Sequence, residues 1–366
     1  MASPLKKSVS IVYPEVHIWM LGRNLSPYES VWAWIRSERP ALSFNGETYE
    51  DYVTWRKKFK ARLIELLGRF PDRVPLNPEV IESVDMGNYI REKVLYDSDK
   101  YTSVVAYVLI PKGIGSEKRP AILAAHGHGR GKVDVCGIAK DEKEYKQYIA
   151  PLNYDYALRF VERGYVVIAP DWRGFGERSS PEDWVRPNRS KCNVNYMAYG
   201  YIGYHLLTLQ IWDGIRTLDY LQSRPEVDGE RIGCAGLSFG GTMTTYLAAL
   251  DDRVKVACIS GYLSTIRGDA MSMRGRANFC GAQYMPGLLT IGDIPDVAGL
   301  IAPKPLLIEM GEKDTCFIIE DAKRAYQHLK RIYKAAGVPE RLDCDIHPGG
   351  HAWSGAKAYD WFERWL

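Results

Sequence analysis

Arg231-Ile-Gly-Cys-Ala-Gly-Leu-Ser-Phe-Gly-Gly-Thr-Met243 contains the pattern G-x-S-x-G at Gly236-Leu237-Ser238-Phe239-Gly240. Glycine and serine are common, so those five residues alone decide little. Their setting decides more. An apolar run, Arg231 to Ala235, leads in, and a helical pattern, Gly241 to Ala249, leads out. A serine at the apex of a sharp strand-to-helix turn sits in strained backbone, and residues two positions to either side come so close that a Cβ would clash. Glycine at 236 and 240 removes those clashes. The hydroxyl then projects above a sheet at a helix N-terminus, where the positive potential favours an oxyanion.

The same alternation extends outward from this turn. Ile90 to Tyr96, Val104 to Ile110, Ala121 to Ala125, Tyr165 to Ala169, Val254 to Ser260, Pro305 to Met310 and Arg341 to Ile346 are short apolar runs of the kind that suits strands covered on both faces. Helical patterns lie between them at Asp155 to Arg163, His205 to Ser223, Gly241 to Ala249 and Glu320 to Ala336. Together these predict an α/β fold: a mainly parallel, eight-stranded sheet flanked by helices over residues 86–366. Residues 1–85 read as an N-terminal helical extension. Its clearest part is Tyr49 to Phe70, with Tyr52, Trp55, Phe59, Leu63 and Leu66-Leu67 at helical spacing and Gly68 and Pro71 as stops. Two stretches, at about 177–204 and 262–300, are too long for plain connections and read as insertions that wall a pocket.

Composition narrows the function classes. The 366 residues are 46% hydrophobic and 25% charged, which excludes a disordered chain. Lys plus Arg is 48 against 45 for Asp plus Glu, a net charge of +3, too weak to point to a nucleic-acid or membrane-surface partner. No apolar run approaches the ~20 residues of a membrane span, and Ile11-Val12-Tyr13-Pro14-Glu15 makes a poor signal segment after Lys6-Lys7. The seven cysteines are odd in number and form no CxxC, so no disulfide framework is expected, with a single pair such as Cys192 with Cys280 left open. A cytoplasmic location is the expectation, and a homo-oligomer is compatible with the composition.

A serine hydroxyl needs a base to take its proton and a third group to orient that base. In strand–turn–helix architectures of this kind the chain order is serine, acid, histidine. After the run Pro305 to Met310, Asp314 falls in the loop beyond Gly311, with Glu309 and Glu312 as rivals. After the last run, His351 follows Gly349-Gly350, which free the backbone to swing back. The alternative, His347, ends the strand itself and reads as a locally bonded residue. The oxyanion needs two preorganised donors. The N–H of Phe239 is one. The N–H of His128, in Ala121-Ile-Leu-Ala-Ala-His-Gly-His-Gly129, is the other, with that of Gly127 as second choice. A rival reading has His126 and His128, at i and i+2, binding a metal.

These motifs in this order resemble the α/β-hydrolases, and within them the dienelactone-hydrolase-like esterases near the acetyl xylan esterase group. The resemblance rests on His126 to Gly129, Asp171-Trp-Arg-Gly-Phe-Gly176, Gly236 to Gly241, Ala302-Pro-Lys-Pro305, Gly311 to Asp314 and Gly349-Gly-His351. It covers residues 90 to 366. It implies an α/β-hydrolase fold with Ser238, Asp314 and His351 as triad, and Asp171 and Arg173 as stabilisers of the loop after their strand. Dienelactone hydrolases proper use cysteine where this chain has Ser238, so lactone activity does not carry over.

The expected activity is hydrolysis of small carboxylic esters, acetyl or short-chain acyl, with no metal and no organic cofactor, on a small-molecule substrate. Trp184, Tyr196, Tyr199, Phe279 and Tyr284, on the two insertions, are candidates for the substrate pocket. The competing functions are a prolyl-oligopeptidase-like serine peptidase, which would ordinarily carry a β-propeller that 85 residues cannot build, and a non-catalytic binding module, whose triad would ordinarily be broken.

Overall fold

The computed structural model describes residues 19–20, 23–24, 27–113, 115, 117–179, 190–271 and 280–366. The chain divides into two compact units, Met1–Arg39 and Pro40–Leu366. The first contains a short antiparallel pair, Trp19–Met20 with Arg23–Asn24, and a helix, Pro27–Ser37.

The second unit is built on one nine-stranded sheet. Its strands in chain order are β1 (Glu79–Asp85), β2 (Tyr89–Asp99), β3 (Thr102–Pro111), β4 (Arg119–Ala125), β5 (Val166–Pro170), β6 (Val227–Leu237), β7 (Val254–Ser260), β8 (Leu306–Gly311) and β9 (Leu342–His347). Across the sheet they lie in the order β9-β8-β7-β6-β4-β5-β3-β2-β1. The six strands from β9 to β5 are mutually parallel, and β3, β2 and β1 continue antiparallel. The eight expected strands are all present. The ninth, β1, corrects the reading of residues 1–85 as helical throughout. Glu79-Val-Ile-Glu-Ser-Val-Asp is a largely exposed edge strand, and β-branched Val80, Ile81 and Val84 suit extended backbone.

Period-two alternation assigns side chains to the two faces. Val104, Ala106 and Val108 of β3 join a core with Leu123, Ile168, Ile232 and Ile259, while Tyr107 and Leu109 join a second core with Ile122, Val167, Ala235 and Val256. The helices α1 (Tyr49–Leu67), α2 (Lys191–Gly200), α3 (Leu206–Ser223), α4 (Phe239–Leu250), α5 (Ile319–Ala335) and α6 (Ala358–Trp365) cover these faces and their margins. Helix α1 starts at a capping box, Thr48 with Asp51, and stops at Gly68 with φ 72°. It buries Tyr52, Trp55, Phe59, Leu63 and Leu67, the spacing seen in the sequence, and so belongs to the sheet-bearing unit. Among the described residues no helix is long and apolar enough to cross a membrane.

The chain passes from β4 to β5 on one side and then returns past β4 to β6 on the other. Loops at the carboxyl ends of β4 and β6 therefore diverge, and a crevice opens between them, the position where open α/β sheets place their ligands.

Candidate active site

Strand β6 ends at Leu237, Ser238 takes φ 63° and ψ −122°, and α4 begins at Phe239. A non-glycine residue at this φ is strained and persists only where its surroundings hold it. Here the Ser238 N–H donates to the Ser260 carbonyl at 2.9 Å, and the Ser238 carbonyl accepts from Thr242 N–H at 3.1 Å. The tightness of the turn is measurable. A Cβ on Gly236 would stand 2.5 Å from the Gly240 carbonyl, and a Cβ on Gly240 would stand 1.9 Å from the Ala125 carbonyl oxygen. Only glycine lets the start of α4 approach the end of β4 this closely.

Asp314 lies three residues beyond β8, buried. Its Oδ1 accepts from the N–H groups of Cys316 at 2.6 Å and Phe317 at 2.9 Å. Its Oδ2 lies 2.8 Å from His351 Nδ1. A carboxylate can only accept, so Nδ1 carries the proton and Nε2 is left as the basic nitrogen. The acid loop and the histidine loop are stitched together by Lys313 N–H donating to Gly349 O at 2.9 Å and Glu312 N–H donating to His347 O at 2.9 Å. The His351 ring stacks on Phe317, with centroids 5.8 Å apart.

The rivals are otherwise engaged. Glu309 is buried beneath the loop and accepts from Ser354 N–H at 3.1 Å and Gly355 N–H at 2.8 Å, while burial pushes its carboxyl up to about 7. Glu312 is exposed. His347 Nδ1 accepts locally from Gly349 N–H at 3.3 Å.

Ser238 and His351 line one cleft of about 340 Å³, together with His128, Tyr154, Phe317 and Cys280. The first N–H groups of α4, that of Phe239 among them, have no partner within the helix. After β4, Gly127 N–H donates to the Tyr154 hydroxyl. His128, the next residue, lines the cleft. Nothing in the sequence pointed to Tyr154, which lies in a loop between helices and reaches the site only through the fold.

His126 is fully buried, and burial pushes its imidazole below the usual histidine range. Its Nδ1 lies 2.7 Å from Gly127 O, and its Nε2 accepts from Trp172 N–H at 3.2 Å. With both nitrogens used inside the fold, His126 and His128 do not pair as metal ligands. The His128 ring instead packs against the stacked pair Phe175 and Phe239, at centroid distances of 5.3 and 5.6 Å. Its Nε2 meets Cys280 Sγ at 3.2 Å and Cys192 Sγ at 3.3 Å. All seven cysteines are free thiols. The hydrogen bond from Cys192, followed by the His128 imidazole, draws the Cys280 thiol well below the usual thiol range; that bond and burial raise Cys192.

Three of the five aromatic residues expected in the pocket are described. Tyr196 packs edge-on against Tyr284 at 5.3 Å, and the Tyr199 ring carries the Arg173 guanidinium at 5.8 Å, so none of the three lines the cleft. Trp184 and Phe279 lie outside the described residues. Asp171 and Arg173 do brace their loop. Asp171, buried, takes the backbone N–H and the ammonium of Lys132, each at 2.7 Å, and Arg173 pairs with Asp213 at 2.8 Å and Asp99 at 2.9 Å.

A parallel sheet reversing beside a strand–serine–helix turn, with a paired acid and histidine on the next loops, defines an α/β-hydrolase. The chain matches the model of the Abhydrolase family over residues 19–352 and belongs to that family. It is 27% identical over 318 residues to "Putative hydrolase YtaP" of Bacillus subtilis (strain 168), covering 85% of this chain and 100% of that protein. Among solved structures it is similar to a "putative acetyl xylan esterase" of Bacteroides fragilis, with TM-score 0.75, 22% identity and 92% and 87% of the two chains covered. It is also similar to a glucuronoyl esterase of Solibacter usitatus, with TM-score 0.61, 15% identity and 86% and 92% covered. At these identities the structural likeness speaks for the fold.

Proposed function

We propose that the protein is a serine carboxylesterase acting on small carboxylic esters, acetyl or short-chain acyl, through Ser238, His351 and Asp314. The observation that carries the reading is the strained Ser238 in one cleft with a histidine whose Nδ1 is held by a buried carboxylate at 2.8 Å. In the first step His351 Nε2 takes the Ser238 proton as Oγ bonds to the ester carbonyl carbon. The N–H groups of Phe239 and His128 receive the oxyanion. The C–O bond then breaks, and the alcohol leaves with the proton from His351. Water, deprotonated by the same nitrogen, attacks the acyl-enzyme and releases the acid and the free serine. Asp314 orients the ring and stabilises its positive charge. A cleft of about 340 Å³ lies at the small end of ligand sites, which favours short acyl groups. The free cysteines fit a reducing compartment such as the cytoplasm.

The test is the rate profile on acetyl, butyryl, octanoyl and aryl esters, beside an aminoacyl nitroanilide and a Ser238→Ala control. The expected result is fastest turnover of the short esters, no peptidase activity, and a loss of roughly 10⁴–10⁶ in kcat for the control. Equal rates for control and parent would remove the assignment.

A further inference from the structure

Three side chains converge beside the cleft, His128 and Cys280 on its lining and Cys192 buried behind them. They come from the loop after β4, from α2 on the first insertion, and from the second insertion. All three ligand atoms lie within 4.8 Å of one another. We infer that they form a binding site for a thiophilic divalent ion of the zinc type, which fastens both insertions to the rim of the active-site cleft.

Geometry and donor chemistry carry this. A tetrahedral zinc ion with Zn–S near 2.3 Å and Zn–N near 2.0 Å sets its nitrogen and sulfur ligands about 3.6 Å apart. His128 Nε2 already stands 3.2 and 3.3 Å from the two sulfurs, so a few tenths of an ångström of outward movement completes the set. A single imidazole nitrogen has one lone pair or one N–H, and so can serve only one of two sulfurs in a hydrogen bond. Convergence of both thiols on that nitrogen is what a shared central cation requires. Two thiolates and an imidazole are a soft set that selects zinc over magnesium or calcium, and the fourth corner remains for water. The imidazole packs against the stacked pair Phe175 and Phe239, which limits its movement. Both cysteines bind as thiolates, so the bound site is the neutral sum of a dication and two thiolates. Residues 128, 192 and 280 show no ligand spacing in the chain, and only the fold brings them together.

The inference does not depend on the esterase reading, and its test measures binding rather than turnover. The full chain is reduced, stripped with a chelator and titrated with Zn²⁺ against a chromophoric competitor. The expected result is a single tight site, weakened at least about 100-fold in Cys192→Ser and in Cys280→Ser but kept in Cys344→Ser. A second measurement on the parent guards against misfolded variants. Zn²⁺ should slow iodoacetamide alkylation of Cys192 and Cys280, located by mass spectrometry, and Co²⁺ should give thiolate-to-metal charge-transfer absorption. Zn²⁺ binding by the parent no tighter than by Cys192→Ser or Cys280→Ser, or alkylation of both thiols unchanged by Zn²⁺, would overturn the site.

Discussion

Replacing Asp314 by asparagine separates the role of the third group from the integrity of the fold. Asp314 Oδ1 accepts two backbone N–H groups, from Cys316 at 2.6 Å and Phe317 at 2.9 Å, and only Oδ2 faces His351. An asparagine must keep its carbonyl oxygen on those two donors, because its NH₂ group cannot accept from them. The NH₂ then points at His351 Nδ1 and forces that nitrogen to accept. The ring proton moves to Nε2, where it faces Ser238 as a donor and can no longer take the hydroxyl proton. No hydrogen bond is lost in the exchange, so stability should change by less than about 1 kcal/mol. Turnover should fall by about 10⁴, equivalent to about 5 kcal/mol of barrier. Asp314→Ala gives the contrast: similar loss of turnover, plus about 1–3 kcal/mol of stability from two orphaned N–H groups. The assay is kcat on nitrophenyl acetate beside urea unfolding for all three proteins. Asp314→Asn retaining turnover within tenfold of the parent would refute the reasoning. So would an activity loss that merely tracks unfolding.

Gly240→Ala should break the elbow: its Cβ would stand 1.9 Å from Ala125 O, and the backbone must open by ~1.5 Å to reach ordinary contact. Turnover should fall at least ~100-fold with a drop in the urea midpoint, whereas Gly200→Ala, with nothing within 4 Å of its Cβ, should leave both unchanged. Tyr154→Phe orphans the Gly127 N–H beside the proposed oxyanion donor, His128; kcat should fall about tenfold with KM nearly constant, as expected where only the transition state feels the change. Glu309 supplies a pH test. Burial raises its carboxyl from 4.5 to about 7 in the folded state, so the folded chain holds this proton more tightly than the unfolded one. The stability it contributes is complete below pH 4.5 and is lost as pH rises through 7, an effect of about 3 kcal/mol at that shift. Urea unfolding from pH 5 to 8 should show this decline in the parent and a flatter profile in Glu309→Gln.

Much of this molecule was legible before folding, and the reasons are local. Val254 to Ser260 is a strand as read, and the other seven expected strands differ only at their ends; those covered on both faces, such as Val166 to Pro170, are apolar throughout. The elbow was legible because clash leaves no substitute for glycine at 236 and 240. Strand β1 was not legible: an exposed edge strand carries charges and no continuous apolar run, so Glu79 to Asp85 offered no signal. The pocket aromatics misled for a related reason. Tyr196, Tyr199 and Tyr284 sit on insertions, and composition cannot say whether such rings face a cleft or one another. Tyr154 and the meeting of His128, Cys192 and Cys280 depend on contacts between distant segments, which no motif encodes.

The central claim is that Ser238 is made nucleophilic by His351. Treatment with a fluorophosphonate, which bonds covalently to activated serine hydroxyls, followed by peptide mapping, tests it most directly. The account predicts a single adduct on Ser238, formed at least about 100-fold more slowly in His351→Ala. No adduct, an adduct on another residue, or an unchanged rate in His351→Ala would contradict it.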